Sequence, residues 1–348
     1  MGETTPEPPT EPEPAGARPT IRAALVERTG PAESIRHDLL PVPTPGPTDV
    51  LVRVDAVAVN HVDTFVRSGA YQTPLPFPFV VGRDLVGTVA ANGTGAPGFA
   101  VGDRVWTNSL GHAGRQGAAS EYAVVPVDRL YRAPVDADAA DLVAVLHPAA
   151  TAFLAVELHG AVRPGETVLV GGAAGHVGRA AVLLAARAGA RVVATARPDD
   201  AADVRSLGAD DVVDYRSPHL ADELRAAAPD GVDVHVDTSG HHDLDLAVGL
   251  MAPRGRIVLL AGMTARPELP VGAVYTHDLQ LRGLAISAAR VDELAAAAHR
   301  INQLVADGSL RPRAVEALPL SAAAEAHRRL EAGEARGVRL VLRVSPRP

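Results

Sequence analysis

The sequence contains no cysteine, and this absence removes three kinds of site at once. Without thiols the chain cannot form a disulfide framework, use a thiolate nucleophile or build a cysteine-ligated zinc or iron–sulfur centre. Lysine is absent as well, so all 33 basic side chains are arginine. Schiff-base chemistry, the lysine of a P-loop and the tyrosine–lysine pair of short-chain dehydrogenases are therefore excluded.

Excess positive charge and long apolar runs are also lacking. The formal net charge is −8 at pH 7, so we expect no general binding to nucleic acid. No stretch of about 18 uncharged apolar residues occurs, so we expect no membrane span. Residues 1–19 are rich in proline and glutamate and have neither the basic nor the apolar region of a signal peptide. We predict a disordered tail for residues 1–19 and a cytoplasmic protein.

The 348 residues suggest two domains, because about 150 residues per domain is a common size. From residue 20 to 142, short β-branched runs are separated by proline and glycine, which predicts a compact, mostly antiparallel β domain. Residues 143–286 instead alternate apolar strands with helix-compatible segments, which is typical of a doubly wound parallel sheet. Residues 287–348 hold two helices, 291–306 and 321–332, and a closing strand, 338–344, that could return to the first domain.

One stretch of the second domain, residues 168–197, carries the most specific local pattern. A buried strand ends in Gly172, Gly175 and Gly178, a helix follows, and a second strand completes a unit of thirty residues. In such a unit the glycines permit a tight turn, and the helix N-terminus offers unpaired N–H groups to a pyrophosphate. We therefore predict dinucleotide binding at this turn, including the backbone of Ala174 and Val177. His176 beside it either contacts phosphate or simply faces solvent.

The end of the second strand indicates which dinucleotide binds. An NAD-preferring site would place a carboxylate against the ribose 2′-hydroxyl near Thr195, yet the chain continues as Thr195-Ala196-Arg197. A guanidinium that can hydrogen-bond a phosphate favours NADPH. In the alternative interpretation Arg197 only pairs with Asp199 or Asp200 in a charge cluster at a helix start.

Several motifs resemble one family of oxidoreductases, in the same order along the chain. They are AVAVNHVDTFVRSGAY (56–71), VVGRDLVGTVAANG (80–93), GDRVWT (102–107), SEYAVVP (120–126), HPAATAF (147–153), PGETVLVGGAAGHVG (164–178), LGADDVVDY (207–215) and GRIVLLAG (255–262). From about residue 20 to 344 the sequence resembles the medium-chain dehydrogenase/reductases, and within them the zinc-free quinone oxidoreductases related to zeta-crystallin. The first string is the most specific. The resemblance implies a GroES-like catalytic domain, mostly antiparallel β, and a doubly wound Rossmann domain.

The resemblance also bears on metal chemistry. Zinc alcohol dehydrogenases of this superfamily hold a metal at positions that match Asn60, Arg83 and His147. Arginine is not a practical zinc ligand at neutral pH, so we expect no metal. Without a Lewis acid, alcohol oxidation is disfavoured. The implied reaction is NADPH-dependent hydride transfer to an acceptor with its own electron sink, a quinone or an α,β-unsaturated carbonyl.

Further roles are implied by the resemblance alone. Asn60, Asp63 and Thr151 would be catalytic, and Phe65 and Arg67 would contact substrate. The positions implied to contact the cofactor, together with the glycine turn, Thr195 and Arg197, are Tyr71, Tyr215, Ser239, Gly262 and Met263. Two departures stand out. Phe65 replaces a frequent tyrosine, and Asp200 replaces a lysine often used for the 2′-phosphate.

Other interpretations of these residues remain open. Asn60 and Asp63 could cap a turn or a helix start, Arg67 could form a surface ion pair, and His241 and His242 superficially resemble a metal cluster. The function could instead be that of an enoyl or tailoring reductase in a biosynthetic pathway, or of a non-catalytic cofactor-binding relative. Family members often dimerise through the last Rossmann strand, here predicted at 279–286, so we expect a homodimer.

Overall fold

The computed structural model describes residues 19–344. The tail predicted for residues 1–19 therefore lies outside the described residues, apart from Pro19. The strands are β1 (Thr20–Val26), β2 (Arg36–Pro41), β3 (Asp49–Ala58), β4 (Phe79–Val80), β5 (Asp84–Asn92), β6 (Arg104–Thr107), β7 (Tyr122–Pro126), β8 (Tyr131–Arg132), β9 (Thr167–Gly171), β10 (Arg191–Ala196), β11 (Asp211–Asp214), β12 (Val232–Asp237), β13 (Met251–Leu259), β14 (Gln280–Gly283), β15 (Val315–Pro319) and β16 (Arg339–Arg343). The helices are α1 (His61–Ser68), α2 (Ala139–Phe153), α3 (His176–Arg187), α4 (Ala201–Ser206), α5 (Leu220–Ala227), α6 (Leu244–Leu250), α7 (Val271–Thr276), α8 (Val291–Ala306) and α9 (Ala323–Glu331).

The β domain contains two sheets. A three-stranded sheet has the order β2-β1-β4, and a seven-stranded sheet has the order β15-β16-β3-β5-β6-β8 with β7 also paired to β3. Strand β16 pairs antiparallel with β3, so the end of the chain returns to the first domain. The return brings the start of β16 next to the end of β3 and the start of β5, since Ala58 faces Val341 on one side and Asp84 on the other.

The Rossmann domain is a six-stranded parallel sheet of order β11-β10-β9-β12-β13-β14. Numbered within the domain, this is the order 3-2-1-4-5-6, in which all strands are parallel and the direction in which successive strands are added to the sheet reverses between β9 and β12. Parallel strands buried on both faces favour continuous apolar runs, as in Val168–Val170. Ligands of such sheets bind at the carboxyl ends of the strands beside that reversal. The α/β fold class predicted from the sequence is confirmed.

Helix α2 joins the two domains. Its N-cap Asp138 accepts hydrogen bonds from the backbone N–H groups of Ala140 and Asp141, and the helix continues as a π-helical segment, Leu154–His159. The predicted domain boundary between residues 142 and 143 falls inside this helix. Within the described residues, the combined helix Ala139–His159 is long and apolar enough to cross a membrane by length and composition. However, 83% of its most apolar window is buried inside the protein, as in the core helix of a globular domain.

Most sequence-predicted elements coincide with observed ones. Helix α8 spans the predicted 291–306, and β10 completes the predicted strand–turn–helix–strand unit of residues 168–197. The last Rossmann strand is shorter than predicted, since β14 covers only Gln280–Gly283 before a 3-10 turn at Ile286–Ala288 begins. Helix α1 was not predicted, because its eight residues carry mixed polar and apolar side chains without a long periodic run.

Candidate active site

The glycine turn lies at the carboxyl end of β9. Gly172 adopts a positive φ of 72°, and its N–H donates to Thr195 Oγ1 at 3.2 Å, which ties the turn to the end of β10. A Cβ at Gly178 would lie 2.3 Å from the Gly172 carbonyl oxygen, so only glycine lets α3 start this close to β9. Gly175 is the N-cap of α3, with φ −73°, and the residue is exposed. The first turn of α3 therefore presents its N–H groups to the open edge of the sheet.

Arg197 and Tyr215 are brought together at the ends of β10 and β11. Arg197 Nε donates to the Tyr215 hydroxyl at 2.8 Å, and 42% of Tyr215 is exposed. Asp200 does not pair with Arg197. Its carboxylate instead accepts hydrogen bonds from Arg313 and Arg336 of the β domain. The guanidinium of Arg197 therefore lies at the carboxyl ends of β10 and β11, free of the Asp200 carboxylate.

The loops after β12 and β13 complete the edge. Ser239 Oγ donates to Asp237 Oδ1 at 2.7 Å, while His242 bridges Asp237 Oδ2 at 2.5 Å and the Ala261 carbonyl at 3.0 Å. Burial alone would lower the pKa of His242, but its hydrogen bonds to Ala261 and Asp237 and the charge of Asp237 raise it above the usual value. The bridge fixes the position of Gly262, whose Cβ would lie 2.8 Å from His242 Nε2. Met263, next along, is 47% exposed.

A buried polar cluster faces this edge from the β domain, where β3, β5 and β16 meet. Asn60 Nδ2 donates to Asp84 Oδ2 at 3.1 Å, and Arg339 Nη2 donates to Asn60 Oδ1 at 2.8 Å. All three residues are at most 5% exposed. Sequence reasoning selected Asn60 but missed Asp84 and Arg339, which are 24 and 279 positions away from it.

Asp63 belongs to the same cluster. Its carboxylate accepts from the Asn60 N–H at 2.7 Å, as a helix-capping side chain does at the start of α1, and its Oδ1 has no hydrogen-bond partner among the described residues. Burial, with the negative charge of Asp84 second, raises the pKa of Asp63 to about 7, against the opposing hydrogen bond from Asn60 and the charges of Arg83 and Arg339. The capping interpretation fits both residues, because Asn60 is the N-cap of α1 and forms a capping box with Asp63, while its side chain also bonds Asp84 and Arg339.

The positions that match zinc ligands do not fit a zinc ion. Both polar atoms of the Asn60 side chain are occupied, and Arg83, 1% exposed, donates through Nη1 to Ser287 Oγ at 2.7 Å. His147 Nδ1 lies 3.5 Å from Asp84 Oδ1. From residue 19 to 344, no group of three or more histidine, cysteine, aspartate or glutamate side chains could hold a metal, and the stretch with His241 and His242 forms none.

Three other predicted residues lie around the cluster. Thr151 is one turn along α2 from His147, and its hydroxyl donates to the His147 carbonyl at 2.9 Å. Tyr71 is half-buried and lies close enough to Arg83 to interact with its guanidinium. Phe65 is 36% exposed on α1. All three remain predicted site residues.

Arg67 is placed elsewhere, which corrects its assignment to substrate. The side chain is 1% exposed, donates through Nη1 to the Gly30 carbonyl at 2.5 Å and forms an ion pair with Glu331 of α9. A guanidinium so enclosed is held within the β domain and does not face the cleft. The ion-pair interpretation is the one that fits, although the pair involves a buried guanidinium and not a surface one.

The two domains meet at His176, the first residue of α3. The side chain is half-buried, and burial, with the positive charges of Arg339, His61 and Arg179 next, lowers its pKa to about 3. His176 is therefore neutral at pH 7 and does not simply face solvent. An open cleft of about 400 Å³ lies beside this turn, lined in part by His176, Arg179, Arg313 and Arg339.

These features fit a dinucleotide. The glycine turn leaves a hollow that a side chain would fill, the start of α3 supplies backbone N–H donors, and buried Arg339 has an Nε without a hydrogen-bond partner among the described residues. Thr195, Arg197 and Tyr215 would line the adenosine end. Ser239 and Gly262 would flank the rest.

Comparison with known proteins agrees with this arrangement. The family "Alcohol dehydrogenase GroES-like domain" matches residues 46–135, and "Zinc-binding dehydrogenase" matches residues 177–303. The quinone oxidoreductase of Sus scrofa is 31% identical over 288 residues, which cover 82% of this chain and 86% of that protein. Prostaglandin reductase-3 of Bos taurus is 34% identical over 258 residues, 72% of this chain and 66% of that protein.

Solved structures share both domains. An "NAD-dependent alcohol dehydrogenase" is 35% identical with a TM-score of 0.83, covering 93% of this chain and all of the other. A mycobacterial protein complexed with NADPH is 28% identical with a TM-score of 0.79 over the same shares. With its GroES-like sheet, its 3-2-1-4-5-6 Rossmann sheet and these relatives, the chain belongs to the medium-chain dehydrogenase/reductases, in the quinone oxidoreductase branch, and is an oxidoreductase.

Proposed function

We propose that the protein is a zinc-independent reductase that uses NADPH to reduce a quinone or an α,β-unsaturated carbonyl. The observation that carries the proposal is the buried cluster at the superfamily's metal position. There Asn60 joins Asp84 to Arg339, so hydrogen bonds and opposite charges occupy the place of metal ligands. An acceptor with its own electron sink needs no Lewis acid to stabilise an alkoxide.

The reduced nicotinamide, when bound, supplies a hydride. The chain's part is to position and polarise the acceptor, which contributes to catalysis without a covalent intermediate. Thr151, 7% exposed on α2, and the Asn60 cluster are the polar groups on the β-domain side of the cleft that would do this. Asn60 acts here as a positioning residue, because both polar atoms of its side chain already hold neighbours.

NADPH is proposed over NADH because Arg197 stands where an NAD site has a carboxylate and its guanidinium is not paired with Asp200. One structural relative was solved with NADPH, although another is titled NAD-dependent. A related enone reductase acting in a biosynthetic pathway is the second candidate. It is favoured by the similarity to a prostaglandin reductase, and the same hydride step would serve it.

One experiment tests both the class of acceptor and the independence from zinc. Purified protein is supplied with NADPH and, in parallel, NADH, against a panel of quinones, enals and enoyl thioesters, and cofactor oxidation is followed at 340 nm. We expect turnover with NADPH that survives chelation, and less than stoichiometric zinc by elemental analysis. One tightly bound zinc per chain with activity lost on chelation would refute zinc independence. Cofactor binding without turnover on any acceptor would favour a non-catalytic relative.

We also propose a homodimer formed through β14. This strand is an edge of the Rossmann sheet within the described chain, and exposed backbone edges pair readily with a second copy. Val271 and Tyr275 of the adjacent α7 are 61% and 74% exposed. Light scattering on the parent and on an Arg282→Pro variant, which blocks the edge, should report a dimer and a monomer. A monomeric parent would contradict the proposal.

A further inference from the structure

Two arginines of the β domain converge on one carboxylate of the Rossmann domain. Arg313 Nη1 donates to Asp200 Oδ1 at 2.6 Å, and Arg336 Nη2 donates to Asp200 Oδ2 at 3.0 Å. The Asp200 side chain is 8% exposed, while those of Arg313 and Arg336 are 35% and 49% exposed. The three residues form an interdomain ion triad.

The triad lies at the ribose end of the predicted cofactor site. Asp200 ends the short turn after β10, and its N–H donates to the Arg197 carbonyl at 3.0 Å. Arg313 precedes β15 and also lines the cleft beside α3. Arg336 precedes β16. The 2′ position of a bound dinucleotide is recognised just beyond the second Rossmann strand, where this turn stands.

The charges of the triad suit a phosphate better than they suit a single carboxylate. Each guanidinium has five N–H donors, and each gives Asp200 one hydrogen bond, so several donors remain for another anion. The triad carries a net charge of +1, because two arginines oppose one aspartate. Arg197, bonded to Tyr215, directly precedes the same turn and adds a third guanidinium.

We infer that Arg313 and Arg336 are specificity-determining residues that bind the cofactor 2′-phosphate, and that Asp200 keeps both guanidiniums at that position in the free protein. The inference rests on the proposed use of NADPH. It explains how a chain with aspartate in place of the lysine often found there supplies positive charge, since the arginines arrive from the other domain. A phosphate bound in this way would contact both domains.

The test uses 2′,5′-ADP and 5′-AMP as probes, so that no turnover is needed. Calorimetric Kd values are measured for the full chain, for Arg313→Ala, for Arg336→Ala and for the double variant. Each single variant should weaken 2′,5′-ADP about tenfold, and the double variant more, while 5′-AMP affinity stays constant. Arg254→Ala is the matched control, because Arg254 is exposed and pairs with Asp278 near the start of β13.

The Asp200→Asn variant tests the same inference independently, because its expected effect on 2′,5′-ADP affinity has the opposite direction. The amide oxygen still accepts a hydrogen bond from an arginine, but the competing negative charge is gone, so 2′,5′-ADP should bind several-fold more tightly. In the parent 2′,5′-ADP should also raise Tm more than 5′-AMP does, and the double arginine variant should lose that difference.

The two probes separate NADPH use from the role of the two arginines. If the parent binds 2′,5′-ADP no better than 5′-AMP, the NADPH proposal itself is wrong and the triad only joins the domains. If the parent prefers 2′,5′-ADP and both arginine variants keep that preference, NADPH use stands and Arg313 and Arg336 have no part in it. A loss that is equal for both probes would likewise assign the arginines a structural role.

Discussion

The glycine turn and the buried Asn60 cluster face each other across the cleft and are built from different groups. The turn uses backbone: the N–H groups of α3 and glycines at which a Cβ would collide. The cluster uses charged side chains sealed from water, with Asp84 at 0% and Arg83 at 1% exposure. The first site is sensitive to added volume. The second is sensitive to charge and to the loss of a hydrogen-bond partner, since an unpaired buried charge is costly.

The two regions therefore tolerate different kinds of substitution. At the turn an added side chain would fill space that a ligand or a backbone carbonyl needs, so each glycine position restricts which residue can stand there. In the cluster two acids, Asp63 and Asp84, face two arginines, Arg83 and Arg339, so protonation of Asp63 leaves one positive charge uncompensated. Substitutions that keep shape but alter charge therefore separate the two regions.

The largest expected effect is at the turn. Gly175→Val should abolish measurable NADPH binding, because the added side chain would stand at the exposed N-terminus of α3, where the cofactor pyrophosphate is expected to bind. The fold should stay intact, because Gly175 has an ordinary φ and its Cβ would meet only the Gly172 carbonyl, at 3.3 Å. Fluorescence titration with NADPH and a circular dichroism melt test this. Gly249→Val is the control, since nothing lies within 4 Å of its Cβ. Retained binding in a folded Gly175→Val protein would remove the turn from the site.

The next effect concerns turnover. Asn60→Ala and Thr151→Ala should each lower kcat by ten- to a thousandfold, about 1.4 to 4 kcal/mol of barrier, without abolishing it, because they act by positioning and polarisation. Steady-state kinetics with the best acceptor measures this. Asp63→Asn should also leave measurable turnover. A folded variant that binds NADPH and shows no turnover would identify an indispensable acid or base instead.

The cluster's response to pH gives a third prediction. The pKa of Asp63 is about 7 in the folded chain and near 4 when unfolded, so its contribution to stability is lost as pH rises from about 4 through 7. Asp63→Asn keeps an acceptor for the Asn60 N–H and removes the charge. It should flatten that decline and stabilise the protein at pH 8 by between about 1 and 4 kcal/mol.

Urea unfolding at pH 5 and pH 8 compares parent and variant. If the variant is less stable than the parent at pH 8, Arg83 and Arg339 stabilise the ionised Asp63 carboxylate by more than its burial costs. The pKa of Asp63 would then not be raised in the fold, and the cluster would already be charge-balanced at pH 5.

The glycine turn could be predicted from the sequence and most of the Asn60 cluster could not, for a physical reason. The turn lies within thirty consecutive residues, so spacing alone predicted its strand, glycines and helix. The cluster depends on β16 returning beside β3, and nothing local to Arg339 says that it reaches Asn60. Arg67 shows the opposite error, because its neighbours along α1 belong to the site while its own side chain turns toward Gly30 and Glu331. The local sequence pattern does not predict which arginine side chains are buried.

A smaller effect is expected at the adenosine end. Arg197→Ala should weaken NADPH by ten- to a hundredfold, about 1.5 to 3 kcal/mol, and leave NADH almost unchanged, because charge-assisted hydrogen bonds to the 2′-phosphate are lost. Parallel Kd measurements for both cofactors decide it. Arg216→Ala is a control, since Arg216 pairs with Asp214 on the surface. An equal loss for NADPH and NADH would show that Arg197 only supports Tyr215.

The smallest expected effect concerns the carboxyl edge of the Rossmann sheet, where the stability contribution of His242 should depend on its charge, as that of Asp63 does in the cluster. His242 bridges Asp237 and the Ala261 carbonyl, and it can donate to both only when protonated. Its folded pKa is raised, so its contribution to stability is complete below the unfolded value near 6.5 and falls as pH rises through the folded pKa. The neutral ring keeps one of the two bonds, so the loss should be about 1 kcal/mol.

His242→Gln should remove that part of the pH dependence. Unfolding free energies at pH 6 and pH 9 are measured for parent and variant, and the parent should lose about 1 kcal/mol more than the variant between the two conditions. His277→Gln is the control, because His277 is exposed and its ring contacts the Thr276 hydroxyl and the Ala273 carbonyl of α7. Identical pH dependence in parent and His242→Gln would mean that His242 is neutral throughout, and that charge acts in the Asn60 cluster and not in the loops that hold Ser239 and Gly262.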